Sequence, residues 1–129
     1  MHISVVVVDD SQLMRNAIAS LLKNYPEIDL VGVADSFTEA LRLVGELRPN
    51  LVLMDLHMKD EGVVALSDCK SRLNGTTLLA MSLWNDEETK ALAESLGAVQ
   101  LLDKVSLAVE LIPAIRKYAK KDGFETAHG

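Results

Sequence analysis

Cysteine is nearly missing from this chain: a single one, Cys69, in 129 residues excludes a disulfide framework and a zinc site. Cys69 stands at three- and four-residue spacing from Leu66 and Leu73, which is the spacing of a helix face, so it reads as core. Long apolar runs are also lacking. No stretch approaches the roughly 20 residues that cross a bilayer. The short run Val5-Val8 ends in Asp9-Asp10 instead of a small-residue cleavage site, so a cytoplasmic protein without a membrane segment is expected. Positive charge is in deficit, with 13 Lys and Arg against 19 Asp and Glu and a net charge of −6. That balance disfavours direct nucleic-acid or anionic-membrane binding by the domain. The basic cluster Arg116, Lys117, Lys120 and Lys121 is expected to complement the carboxyl end of a final helix. Repeats, linkers and low-complexity segments are absent, and residues 1–129 read as one domain large enough for its own core.

What is present is an unbroken alternation of strand and helix patterns. Ile3-Val8 is a β-branched run, and Ser11 is placed to cap a helix to about Tyr25 with Met14, Ile18, Leu21 and Leu22 on one face and Pro26 closing it. Leu30-Ala34 is a second strand. Ser36-Phe37-Thr38-Glu39 has capping-box spacing for a second helix that carries Ala40, Leu41, Val44 and Leu47 inward and breaks at Arg48-Pro49-Asn50. Leu51-Val52-Leu53-Met54 is too short for a helix and apolar throughout, as a strand buried on both faces must be. A third helix should run from beyond Gly62 to about Leu73, and Asn74-Gly75 turns into the strand Thr77-Met81. Asn85-Asp86-Glu87-Glu88 is a second capping box, for a helix that Gly97 ends. Ala98-Leu102 is the last strand, and Ser106 caps the last helix, where Pro113 predicts a kink or a late start within the pattern Leu111, Ile112, Ile115, Tyr118. Five strands and five helices in alternation predict an α/β doubly wound fold, a five-stranded parallel sheet covered on both faces.

In such a sheet all strand carboxyl ends lie on one edge, where open α/β folds bind their ligands. Asp9-Asp10 follow the first strand, Asp55 the third, Ser82 the fourth and Asp103-Lys104 the fifth. Carboxylates 4 Å apart repel by roughly 4 kcal/mol per pair at an effective dielectric near 20, which calls for a cation. Magnesium suits hard oxygen ligands shared with phosphate, while Lys104 offers a point charge and Ser82 a hydroxyl donor. The constellation is one for handling phosphoryl groups.

These five strand-end positions, in order and spacing over nearly the whole chain, resemble the response-regulator receiver domain of two-component signalling. The segment Leu101-Leu102-Asp103-Lys104-Val105-Ser106, with no proline after the lysine, is most similar to the LuxR/NarL group. The resemblance implies a flavodoxin-like receiver fold in which Asp55 is the phosphoacceptor. It implies that Asp9, Asp10, Asp55 and the main-chain carbonyl of His57 hold Mg2+, that Lys104 binds phosphoryl oxygens and that Ser82 is the switch hydroxyl. The donor would be a sensor histidine kinase or phosphotransfer protein. Phosphorylation would switch the surface of the fourth helix, fifth strand and fifth helix, leaving room for a homodimer in that state. Such a domain is not an enzyme beyond its own phosphorylation and slow dephosphorylation. It stands alone or forms the N-terminal part of a DNA-binding transcriptional regulator.

The chain also departs from that pattern. Leu101 occupies the position of a common aromatic switch residue three before the lysine, and Lys59 a position often held by proline. Trp84 follows Ser82 by two, as a loop residue packing on the next helix or as part of the site. The His57 side chain is expected to face solvent, since only its carbonyl is called for. Two rival classes fit less well. Asp55-Leu56-His57 begins the Asp-x-His-x-x-Gly pattern of cobalamin-binding modules, but position 60 is Asp60 and the nearest glycine is Gly62. A haloacid-dehalogenase-like phosphatase wants Asp-x-Asp after the first strand, and here the residues are Asp9-Asp10-Ser11.

Overall fold

Five parallel strands form one sheet in the order β2-β1-β3-β4-β5, in a computed structural model that describes residues 2–58, 70–73 and 75–119. The strands are β1 (Ile3–Val8), β2 (Ile28–Ala34), β3 (Leu51–Asp55), β4 (Thr77–Ser82) and β5 (Gln100–Asp103). Among the described residues the helices are α1 (Gln12–Leu22), α2 (Phe37–Leu47), α3 (Glu87–Ser95) and α4 (Leu107–Ala119). The helix expected between β3 and β4, with Leu66 and Cys69, lies mostly outside the described residues. Only its end at residues 70–72 is described, as helical, with Leu73 buried behind it.

Strand alternation divides the core between the two faces of the sheet. Val5, Val7, Leu51, Leu53, Leu79, Met81 and Leu102 pack with Ile18 and Leu22 of α1 and Leu111, Ile112 and Ile115 of α4. Val6, Val8, Val52, Met54, Leu78 and Ala80 pack with Phe37, Ala40, Leu41 and Val44 of α2 and Ala93 of α3. Every residue of β3 is buried, as its uninterrupted apolar run implied. The doubly wound α/β expectation holds, with β3 at the centre.

Several boundaries differ, each for a local reason. Helix α1 ends at Leu22 because Asn24 and Tyr25 donate to Leu21 and Leu22 carbonyls three residues back, tightening the chain before Pro26. Strand β2 begins two residues early, at Ile28, since Ile3 N–H already donates to the Glu27 carbonyl at 2.8 Å; the outward-facing Asp29 of this edge strand hid the pattern. Leu47, expected inward, is 42% exposed. It closes over Gly32 of the edge strand, where an added Cβ would meet its Cδ1 at 3.1 Å.

The cap of α3 is Asp86, one residue after the Asn85 that the capping box suggested, with Asp86 Oδ1 accepting the Thr89 N–H at 3.1 Å. Strand β5 starts at Gln100 because Ala98 N–H is engaged in closing α3, onto the Ala93 carbonyl at 3.0 Å. Ser106 does not cap α4: a 3₁₀ turn, Lys104–Ser106, capped by Asp103, feeds directly into it. Helix α4 neither starts late nor stops at Pro113, which is exposed. The Val109 carbonyl that Pro113 leaves without its helical donor belongs to an exposed residue, so water can serve it.

At the edge opposite the strand carboxyl ends, Asn50 ties β3 to β1. Its Oδ1 accepts from Ser4 N at 2.8 Å and Ser4 Oγ at 3.0 Å, and its own N–H donates to Ser4 Oγ at 2.8 Å. We predict that Asn50→Ala lowers stability by roughly 1–2 kcal/mol, as two hydrogen bonds of ordinary net strength require. Urea unfolding checks this, and an unchanged midpoint would show that water replaces the side chain at no loss.

Candidate phosphoryl and metal site

Strand order reverses between β1 and β3, so the connections leaving their carboxyl ends diverge and open a crevice. Asp9 and Asp10 follow β1 there, and Asp55 is the last residue of β3. One carboxylate oxygen from each of the three lies within 4.8 Å of the others. Asp9 and Asp55 are buried and Asp10 is exposed. Asp9 is held on several sides: its N–H donates to the Ala34 carbonyl at 3.0 Å, its Oδ1 accepts from Ser11 N at 2.9 Å, and its carbonyl accepts from Arg15 Nη1 at 2.6 Å. Asp55 Oδ1 accepts from His57 N at 3.1 Å.

Lys104 supplies the counter-charge. Its ammonium lies 2.8 Å from Asp9 Oδ2 and 3.2 Å from Asp55 Oδ2. It bridges two of the acids. Asp9 Oδ2 is buried, and Lys104 Nζ is its charged neighbour. Three carboxylate oxygens gathered within 4.8 Å of one another at the crevice fit a hard divalent cation. Burial pushes the Asp55 carboxyl above the ordinary aspartate range, opposed by the His57 N–H and the Lys104 charge and reinforced by Asp9. Burial works against the Lys104 ammonium too, but attraction to Asp9 and Asp55 outweighs it and holds Lys104 above the usual lysine range.

Ser82 ends β4 beside Asp55, whose strand pairs with it, and is buried. Its Oγ accepts the Trp84 N–H at 2.9 Å, leaving the hydroxyl proton available to a phosphoryl oxygen. The His57 ring is exposed, as expected, and meets Trp84 edge-on with centroids 4.7 Å apart. Trp84 is 55% exposed. With His57 it lines an open groove of 520 Å³ against Asp86, Thr89 and Leu92 at the start of α3, which agrees with packing on the next helix. Leu101 is partly buried against the α2–α3 side of the core. Lys59 lies outside the described residues. Arg15 was not singled out from sequence; a basic residue in the second turn of α1 is an ordinary surface feature until its contact with the Asp9 carbonyl is seen.

A buried β3 aspartate at the switch point, two acids after β1, a hydroxyl after β4 and a lysine after β5 define a class of α/β domain with a charged site at the carboxyl edge of its sheet. The family model of the response regulator receiver domain matches residues 5–116, and the chain belongs to that family. It is 31% identical over 119 residues to the transcriptional regulatory protein LiaR of Bacillus subtilis, covering 92% of this chain and 56% of LiaR. It is 32% identical over 121 residues to the response regulator protein VraR of Staphylococcus aureus, covering 93% of this chain and 58% of VraR. The chain thus spans less than two thirds of the length of these relatives. Among solved structures, the receiver domain of the response regulator NarL from Mycobacterium tuberculosis superposes with a TM-score of 0.81 at 27% identity, covering 92% of this chain and 97% of that one. The receiver resemblance and its LuxR/NarL leaning are borne out.

The raised Asp55 carboxyl has a consequence for stability. A group whose folded pKa lies above its unfolded value favours the fold below the unfolded value, and that contribution is lost as pH rises through the folded one. We predict that in chelator Asp55→Asn unfolds at higher urea than wild type at pH 7, and that the gain shrinks as pH falls toward the ordinary aspartate value of 3.8. A gain that is absent at pH 7, or that grows with acidification, would contradict the assignment.

Proposed function

We propose that this protein receives a phosphoryl group on Asp55 and signals by the resulting change at the sheet edge. The observation that carries this reading is the junction of a fully buried strand end, Asp55, with Asp9, Asp10 and the Lys104 ammonium. An Asp55 carboxylate oxygen attacks phosphorus in line, forming the O–P bond as the bond to the leaving phosphohistidine nitrogen or acyl oxygen breaks. The attacking carboxylate needs no base. Asp9, Asp10, Asp55 and the main-chain carbonyl of His57 would hold Mg2+, whose chemistry when bound is neutralisation of phosphoryl charge. Lys104 stabilises the same charge from the β5 side, and Ser82 donates its hydroxyl to a phosphoryl oxygen.

In this reading residues 1–129 form one receiver domain, cytoplasmic, with a sensor histidine kinase or phosphotransfer protein as donor. Among the described residues no helix is long and apolar enough to cross a membrane. The output surface is α3, β5 and α4, because Ser82 and Lys104 flank it, and homodimerisation on phosphorylation would use it. The proteins LiaR and VraR are named as regulators, which supports a role in transcription regulation through a segment beyond this domain; a stand-alone relay role is the other arrangement.

We predict that acetyl phosphate with magnesium adds one phosphoryl group, seen by intact mass, and that Asp55→Asn abolishes it. Undiminished labelling of the variant would place the acceptor elsewhere, and unlabelled wild type would count against a receiver role.

A further inference from the structure

Resting on the reading of Asp9, Asp10 and Asp55 as a divalent-cation site, we propose that Arg15 is a positioning residue that sets the Asp9–Asp10 turn for metal binding. Arg15 reaches back from the second turn of α1, half-buried, and its Nη1 donates to the Asp9 carbonyl oxygen at 2.6 Å. That carbonyl belongs to the planar peptide from which Asp10 emerges, so fixing its direction fixes the plane that presents the next carboxylate. The bond is short and charge-assisted, the stronger kind of neutral-acceptor contact. Asp9 is already anchored through its N–H to Ala34 and through Oδ1 to Ser11. Arg15 adds the third anchor, on the side from which the chain continues to the exposed Asp10.

The chemistry makes this role separable from a purely electrostatic one. A guanidinium beside a cation site repels the cation, so as a charge Arg15 weakens metal binding. As a donor to the Asp9 carbonyl it strengthens binding, by sparing the site the cost of ordering its own ligands. Asp35 and Glu39 line the same groove as Arg15, at the end of β2, but Glu39 gives both its oxygens to Arg42. The two roles predict opposite signs for the loss of Arg15, and one titration distinguishes them.

The experiment is magnesium chloride titration of wild type, Arg15→Met and Arg15→Lys, followed by calorimetry and by the fluorescence of Trp84, the only tryptophan, which stands beside the site. Arg15→Met keeps the apolar stem and removes donors and charge; Arg15→Lys keeps a charged donor. We expect Arg15→Met to weaken magnesium binding about tenfold or more, as loss of an outer-sphere partner does, and Arg15→Lys to recover part of the loss. Raising magnesium should restore acetyl-phosphate labelling of Arg15→Met. Binding by folded Arg15→Met that is as tight as wild type, or tighter, would overturn the proposal, even if its thermal midpoint falls. Should Arg15→Met not fold, Arg15→Gln is held to the same comparison. A wild type that neither binds magnesium nor accepts a phosphoryl group would instead sink the underlying site reading, and the proposal with it.

Discussion

The Lys104 ammonium wedged between Asp9 and Asp55 is the interaction on which the upper edge of this fold depends. Two buried carboxylates side by side would each lose their hydration and repel each other by roughly 4 kcal/mol at 4 Å and an effective dielectric near 20. Charge placed between them offsets part of that penalty. The strand order makes it possible. Lys104 follows β5, whereas Asp55 ends β3, with β4 between them. Neighbouring strands are about 4.8 Å apart, so only a long side chain spans the gap. A lysine does so, and the small Ser82 at the end of the intervening β4 is compatible with its passage.

The same arrangement links core to chemistry. Because β3 is buried on both faces, its terminal residue is held on a rigid element whose neighbours leave no room to drift. Asp9 is similarly fixed by three separate contacts at the end of β1. Asp10 is the exposed member of the three, beyond β1. The site therefore has a buried half, Asp9 and Asp55, and a half open to solvent. Such a division would suit a site that binds a metal and shares it with an arriving phosphoryl group.

Much of this was legible in the residues. The β3 run Leu51-Met54 and its closing Asp55 announced a central parallel strand, because a strand buried on both faces has no polar alternation to blur it. The caps Ser11 and Ser36 were readable because each hydroxyl accepts the N–H three residues on, a local bond needing no tertiary information. Edges were less legible. Ile28 and Asp29 belong to an edge strand with one covered face, and Leu47 packs over Gly32 where the sheet runs out, so neither shows a clean period. The Lys104 contacts and the Arg15 contact join residues separated by many positions or by a helical turn, and no spacing rule foretells which acceptor a long cationic side chain will choose.

The observed contacts also alter how the switching free energy divides between residues. If Asp55 is the acceptor, new charge-assisted hydrogen bonds from Ser82 and Lys104 to the phosphoryl group would each contribute roughly 1.5–3 kcal/mol. Together they approach the roughly 5.5 kcal/mol that moves an equilibrium from 1:99 to 99:1. Lys104, however, begins from two carboxylate contacts, so its gain on reaching a phosphoryl oxygen is a difference between ion pairs and is smaller than the gross figure. Ser82 begins otherwise. Its oxygen accepts from Trp84 N while its proton is uncommitted among the described contacts, so it can donate without surrendering that bond. On that reading the hydroxyl would carry the larger net share of the bias, with the lysine mainly balancing charge before and after transfer. With Leu101 in place of an aromatic on β5, the bond from Trp84 N to Ser82 Oγ is a described contact that would couple movement of the hydroxyl to the segment leading into α3.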